Sequence, residues 1–253
     1  MTTLSVTAKR RTGDFELDVR FEAKPGITIL FGPSGAGKST TLSMIAGIVR
    51  PDTGDIRLGK TPWFDSTSRV DVPIQARKVG FVFQSLALFP HLTAAENVGY
   101  GLPRGLAQRE VHERVAVMLE RLKVAHVAKR KPATFSGGEA QRVALARAFA
   151  IEPAILLLDE PFSALDRPLR RDLHADVRNM VDSLKLPAIL ITHHPNEARA
   201  LGDHVVMLRE GRVVGEGSVS EMLPDRPRPS DAPPSENRLD FADTPMATPE
   251  SFL

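Results

Sequence analysis

No cysteine occurs in the 253 residues, which removes disulfides and thiolate metal sites together and fits a reducing compartment. Nor is there a field of one charge. Lys and Arg number 33 against 31 Asp and Glu, a formal net charge of +2, so the broad basic surface of a nucleic-acid binder is missing and nucleic acid is not an expected partner. Long hydrophobic runs are absent too: the longest compact one, Ala154 to Leu158, is far short of the roughly 20 residues that cross a bilayer. The opening MTTLSVTAKRRTGDF has no apolar core of the kind a signal peptide carries. If the chain serves a membrane process, another chain is expected to do the spanning. No repeat of solenoid period is visible.

What is present is a 42% hydrophobic content, enough at this length to bury one substantial core. Phe15, Leu17, Val19 and Phe21 alternate with polar residues, and the chain runs on through Pro25-Gly26 into the apolar Ile27 to Phe31. This reads as an antiparallel hairpin feeding a buried strand. Short strands are expected at Ile56 to Leu58 and Trp63 to Phe64, and a longer one at Lys78 to Gln84. From about residue 85 to 150 the β signal fades, and Val111, Val115, Met118, Leu119 and Leu122 recur at helical spacing, so a helical lobe inserted into the sheet domain is expected there. Ala154 to Leu158 and Ala188 to Ile191 read as buried parallel strands separated by a helix at Leu169 to Leu184. A closing hairpin turns at Glu210-Gly211. Beyond about Pro224, seven of the last 30 residues are Pro and apolar periodicity stops, which suggests a disordered tail over 224–253.

Three segments carry chemistry. Gly32-Pro33-Ser34-Gly35-Ala36-Gly37-Lys38-Ser39 fits G-x-x-x-x-G-K-[ST] between an expected strand and an expected helix, a loop whose backbone amides wrap phosphates at a helix N-terminus. Lys38 should reach the β- and γ-phosphates of a nucleotide and Ser39 should ligate Mg²⁺. Ile155 to Leu158 ends in Asp159-Glu160, at the strand edge where open α/β sheets place ligands. Asp159 suits Mg²⁺, directly or through water, and Glu160 is placed to polarise the water that attacks the γ-phosphate; alone, the pair also reads as a solvated strand end. Phe135-Ser136-Gly137-Gly138-Glu139 opens a helix through Gln141, Arg142 and Leu145, exposing amides to an anion or simply forming a well-capped helix start.

Together these pieces resemble the nucleotide-binding subunits of ABC transporters over roughly residues 1 to 220, in one collinear order. The resemblance gives GPSGAGKST, through Thr40, as the Walker A motif, Gln84 in VGFVFQ as the Q-loop, and FSGGE as the signature. ILLLDE is then Walker B, Ser163 to Asp166 the D-loop, and His193 in ITHH the switch histidine. It implies an α/β P-loop NTPase core with an antiparallel β subdomain and an inserted helical subdomain, residues 1–223 forming the ATP-binding domain. It also implies a homodimer in which each ATP is held between the loop of Lys38 and Ser136, Gly137 and Gly138 of the other copy. Gln84 then helps hold Mg²⁺ and the attacking water, while His193 contacts the γ-phosphate.

The sequence departs from the family pattern in places. Phe135 and Glu139 stand where Leu and Gln are usual, and His194 where Asp often follows the switch histidine. No aromatic residue falls clearly at the adenine-stacking position. Phe15 is nearest, but its alternation with Leu17 and Val19 favours core packing; Arg10 or Arg11 is the other option.

A stand-alone cassette leans towards import, with membrane permease subunits and indirectly a solute-binding protein as partners, at the cytoplasmic face of the membrane. FEAKPGITILFGPSGAGKSTTL, the WFD segment and LALFPHLTAAENVGYGL look most like molybdate-type oxyanion importers, which often add a C-terminal β domain; here only the Pro-rich tail takes that place. Leu86 to Leu92 corresponds to the groove that receives a membrane subunit's coupling helix, or else Leu86, Leu88 and Phe89 pack the helical lobe. A soluble ABC ATPase of translation or repair would need tandem units or a coiled-coil insertion, and neither is present. A binding-only module would be expected to have lost Lys38, Glu160 or His193.

Overall fold

The computed structural model describes residues 2–103, 105–163 and 165–224. The segment 225–253, where a disordered tail is expected, lies outside the described residues, as does Ala164 of the expected D-loop. Residues Met1–Leu223 make one compact unit.

Its backbone is an eleven-stranded sheet. In chain order the strands are β1 (Leu4–Thr12), β2 (Phe15–Ala23), β3 (Gly26–Phe31), β4 (Thr53–Leu58), β5 (Thr61–Asp65), β6 (Val70–Asp71), β7 (Val79–Val82), β8 (Ile155–Asp159), β9 (Pro187–Thr192), β10 (His204–Arg209) and β11 (Arg212–Ser218). Across the sheet they lie β6-β5-β4-β1-β2-β11-β10-β3-β9-β8-β7. β6, β5, β4, β1 and β2 pair antiparallel in turn, β2 meets β11 in parallel and β11 pairs antiparallel with β10, whereas β10, β3, β9, β8 and β7 are parallel. The helices are α1 (Lys38–Ala46), α2 (Ala94–Gly99), α3 (Gln108–Arg121), α4 (Gly137–Ala150), α5 (Arg167–Leu184), α6 (Pro195–Leu201) and α7 (Val219–Met222).

The two halves of the sheet follow from their sequence patterns. All six residues of β9 and the first four of β8 are buried, as continuous apolar runs must be when both faces of a parallel strand are covered. Successive residues serve opposite layers. Ile155 and Leu157 join Leu42 and Ile45 of α1 and the inner face of the antiparallel strands, whereas Leu156 and Leu158 join Val143, Phe149, Val115 and Leu173 of the helical side.

The expected hairpin is made by β1 and β2, turning through Gly13-Asp14 with Thr12 opposite Phe15, and Pro25-Gly26 carries the chain on to the buried β3, which sits between β10 and β9. One expectation needs correction. The strand expected over Lys78 to Gln84 spans only Val79–Val82. Lys78 precedes it with a left-handed backbone, φ 50°, and a turn begins at Phe83, whose carbonyl accepts from Leu86 N. The helical spacing of Val111 to Leu122 is that of α3, which ends at Arg121 with Leu122 as its C-cap, and the turn at Glu210-Gly211 joins β10 to β11.

The groove residues divide. Leu86 and Leu88 pack against the helical core, whereas the Phe89 ring lies 4.2 Å from that of Tyr100, which is 64% exposed.

Candidate functional site

Four neighbouring parallel strands, β3, β9, β8 and β7, end together at one edge of the sheet. Phe31 pairs with Thr192, Ile191 with Asp159 and Leu158 with Val82. Gly32, His193, Glu160 and the segment leading to Gln84 therefore leave the sheet side by side, at the carboxyl ends where open α/β sheets bind ligands.

Gly32 to Gly37 forms the loop between β3 and α1, whose first residues are Lys38 and Ser39. Gly37 is the N-cap in the left-handed region, φ 97°, and no side chain caps the helix, so its first-turn amides have no built-in acceptor. Any side chain at Gly37 would also meet Leu17 at 2.5 Å. Pro33, Ser34 and Gly35 are exposed on the crown, and Ala36 is buried beneath it. Lys38 is 7% exposed and its ammonium donates to Gly32 O at 2.9 Å and Pro33 O at 2.7 Å. Burial pushes its pKa down, against the pull of Glu160 and Asp159. A buried cation held only by neutral carbonyls favours an anion in the same loop.

Ser39 Oγ donates to Asp159 Oδ1 at 3.2 Å. Burial pushes the Asp159 carboxyl up, the Ser39 hydrogen bond opposing it and neighbouring Glu160 adding to it, so a cation beside this oxygen pair relieves the cost of ionisation. One hydroxyl and one carboxylate suit Mg²⁺, which fills its remaining positions with phosphate oxygens and water. Among the described residues no cluster of three or more His, Asp or Glu offers an all-protein metal site.

Glu160 has φ 44°, a left-handed backbone rare for a residue with a side chain. It is fixed by Glu160 N donating to Ile191 O at 3.1 Å and by Ser163 N and Oγ donating to the Glu160 carbonyl. Its Oε1 lies 3.1 Å from Nδ1 of His193. The His194 ring sits 4.0 Å from that of His193, filling the place where the family pattern has a carboxylate. Gln84 is exposed two residues beyond β7, with no side-chain hydrogen bond among the described residues.

Phe15 departs from expectation. Leu17 and Val19 are buried, but Phe15, at the start of β2, is 36% exposed. It borders a cavity of about 300 Å³ lined also by Arg10, Gly37, Lys38, Ser39 and Thr40, and another of about 690 Å³ along Pro33 to Ala36. Alternation stops at the strand's first residue because nothing covers it there. Arg10 lines the same cavity, its guanidinium donating to Arg50 O, while Arg11 is not in the lining. A third cavity, about 660 Å³ around Arg20, Lys24 and Thr28 at the amino end of β3, contains no motif residue.

Ser136, Gly137 and Gly138 are not brought to this edge. They open α4, and Ser136 closes a capping box with Glu139: Glu139 N donates to Ser136 Oγ at 3.3 Å and Ser136 N to Glu139 Oε2 at 2.7 Å. The Ser136 amide, opposed by burial and helped by Ser136 Oγ, His126 and Arg130, holds the Glu139 carboxyl down at about 2. Glu139 in place of the usual Gln is thus a working N3 partner. Gly138 is pressed against Leu169, whereas a Cβ on Gly137 would meet nothing within 4 Å. Ser136 and Gly137 thus form an exposed helix start, whose amides are open to an anion.

A comparison with protein-family models matches residues 17–163 to the family described as ABC transporter. The chain belongs to the ABC transporter family, as an ATPase cassette. A molybdate/tungstate import ATP-binding protein of Archaeoglobus fulgidus is 44% identical over 220 residues, 87% of this chain and 89% of that protein. A sulfate/thiosulfate import ATP-binding protein of Gloeobacter violaceus is 43% identical over 226 residues, and a molybdenum import ATP-binding protein of Brucella melitensis biotype 1 is 38% identical over 226. The cassette spans 64% and 62% of the length of these last two. Among solved structures it resembles the cassette MJ0796, a dimer in a post-hydrolysis state bound to ADP and Pi, with TM-score 0.74 and 31% identity over 87% of this chain and 99% of that one.

Sequence reasoning missed two residues of the cassette. Arg77 is fully buried and donates to Met44 O, Ile45 O, Trp63 O and Val72 O, capping the C-terminus of α1. Arg147 grips the chain beyond Gln84. A buried arginine in a charged segment has no periodic signal to announce it.

Proposed function

We propose that this cassette hydrolyses Mg²⁺-ATP as one half of a homodimer and thereby powers an importer of a tetrahedral oxyanion, with molybdate the first substrate to test. The observation that carries the reading is the division of one site over two surfaces. Lys38, Ser39, Asp159, Glu160 and His193 converge at one sheet edge, while Ser136 and Gly137 stand exposed at the start of α4, with Gly138 buried behind them. A second copy related by a two-fold axis supplies what each lacks, since an isologous pair presents both surfaces twice.

Within that sandwich, the amides of Gly32 to Thr40 wrap the phosphates and Lys38 exchanges its bonds to Gly32 O and Pro33 O for phosphate oxygens. Ser39, Asp159 and Gln84 would hold Mg²⁺. When bound, the ion neutralises the charge that develops on the phosphates. Glu160 orients the attacking water and accepts its proton, and His193 steadies Glu160 and meets the γ-phosphate from β9. Phe15 stacks on the base, a contact that accepts any base because each presents a π-face. Closing the dimer on ATP draws the helical lobes together, and hydrolysis releases them.

Relatives named for molybdate, tungstate and sulfate support an oxyanion, with permease subunits and a solute-binding protein completing the transporter. No helix among the described residues is long and apolar enough to cross a membrane, which suits a peripheral subunit at the cytoplasmic face. Residues 1–223 are the ATP-binding domain. Uptake of labelled molybdate, tungstate and sulfate, compared in cells with and without the gene, tests the substrate. Loss of molybdate uptake supports the reading, loss of sulfate uptake alone moves the assignment within oxyanions, and three unchanged rates refute it.

A further inference from the structure

Beyond Gln84 the backbone takes a costly course. Leu86 and Ala87 are both left-handed, with φ 61° and 45°, and two consecutive residues with side chains stay there only when their surroundings hold them. Arg147 holds them. Its Nη2 donates to Leu86 O at 2.8 Å and its Nη1 to Ala87 O at 2.7 Å, a planar fork spanning successive carbonyls. The guanidinium lies 5.6 Å from the centroid of the Phe89 ring, which restores some of what desolvation costs the cation. Phe89 is fixed in turn by the buried Asn97, which accepts from Phe89 N at 2.8 Å and donates to the carbonyls of Phe89, Leu92 and Thr93.

Arg147 also belongs to the last turns of α4, the helix that begins with the exposed Ser136 and Gly137. Eleven residues of helical rise separate Ser136 from Arg147, roughly 16 Å, and the helix from Gln141 to Ala146 is buried at every residue. A closely packed helix moves as a rod. The segment after Gln84 is therefore clamped to the far end of the element whose near end meets the other copy's nucleotide.

We propose that Arg147 is the positioning residue that makes Gln84 competent: it locks the Leu86-Ala87 turn to α4, so that Gln84 reaches metal and water only when the signature helix is in place. The inference rests on the ATPase reading above. Arg147 touches none of Lys38, Ser39 or Asp159, so its loss should spare capture of ATP by the phosphate loop and impair the steps that need Gln84. Lysine preserves the charge but has no planar fork for two carbonyls.

The test compares the full chain with Arg147→Lys and Arg147→Gln, measuring melting temperature, ATP affinity by displacement of a fluorescent analogue, kcat, and the Mg²⁺ concentration for half-maximal rate. Arg147→Lys is expected to bind ATP within about twofold of the natural chain while kcat falls roughly tenfold to a hundredfold and the Mg²⁺ requirement rises. Arg147→Gln, which can reach one carbonyl, should show the same pattern. Should either variant melt below the assay temperature, the other is judged by the same criteria. Natural kcat and Mg²⁺ dependence in both variants would overturn the proposal. So would a kcat per folded molecule that stays natural while melting temperature and ATP affinity fall together, the mark of a merely structural role, or melting of both variants below the assay temperature. A natural chain that turns over no ATP would instead condemn the ATPase reading, and this proposal with it, before any variant is compared.

Discussion

Nδ1 of His193 lies 3.1 Å from Oε1 of Glu160, although β9 delivers one and β8 the other. The left-handed backbone of Glu160 sits at the strand end where this contact is made. Replacing the carboxylate by an amide keeps the shape and removes the proposed base, so Glu160→Gln should lower kcat on the order of 10²–10⁴-fold with ATP affinity retained. The variant should then accumulate as an ATP-bound dimer by size exclusion. Ordinary turnover in Glu160→Gln would refute the assignment of Glu160 as base.

Phe15 supplies a second test. The residue is 36% exposed beside Gly37 and Lys38, and aromatic stacking on a base is worth about 1–3 kcal/mol. Phe15→Ala should therefore weaken ATP binding roughly tenfold, with GTP affected in parallel, while Phe15→Tyr should bind as the natural chain does. Unchanged affinity in Phe15→Ala would return the stacking role to Arg10.

Arg77 governs stability. It is 1% exposed, and its guanidinium donates to four backbone carbonyls and pairs with Asp71. Arg77→Met strands those acceptors inside the protein and should cost about 2–4 kcal/mol in urea unfolding. A loss below about 0.5 kcal/mol, the scale of a surface change, would mean that the cap of α1 is dispensable.

The Glu139 carboxyl has a pH signature. Held down at about 2 from 4.5 by the Ser136 amide and hydroxyl, His126 and Arg130, it binds fewer protons folded than unfolded. Its contribution is present above about pH 4.5 and is lost as pH falls towards about 2. Glu139→Gln, which can keep the capping box, should be less stable than the natural chain near neutrality, and the gap should close on acidification through that window. A gap that widens there would contradict the sign.

Much of this was legible in the sequence for a physical reason. The phosphate loop needs glycine at fixed spacing, and buried parallel strands need unbroken apolar runs, so Gly32 to Ser39, Ile155 to Asp159 and Ala188 to Ile191 announced themselves. Ser136 to Glu139 was ambiguous alone because a capped helix start and an anion site use the same residues, and the structure shows the cap fully formed. What stayed hidden depends on contacts distant in sequence. The exposure of Phe15 at a strand end and the grips of Arg77 and Arg147 on carbonyls 5 to 61 residues away leave no local periodicity to read.

The shared site is tested most directly by Mg²⁺-dependent ATP turnover as a function of protein concentration, for the natural chain and for Ser136→Arg, which crowds the exposed start of α4. Turnover should rise more than linearly with concentration and vanish in Ser136→Arg. Turnover that is linear and untouched by Ser136→Arg would mean that one chain holds a complete site, and the two-surface arrangement would be wrong.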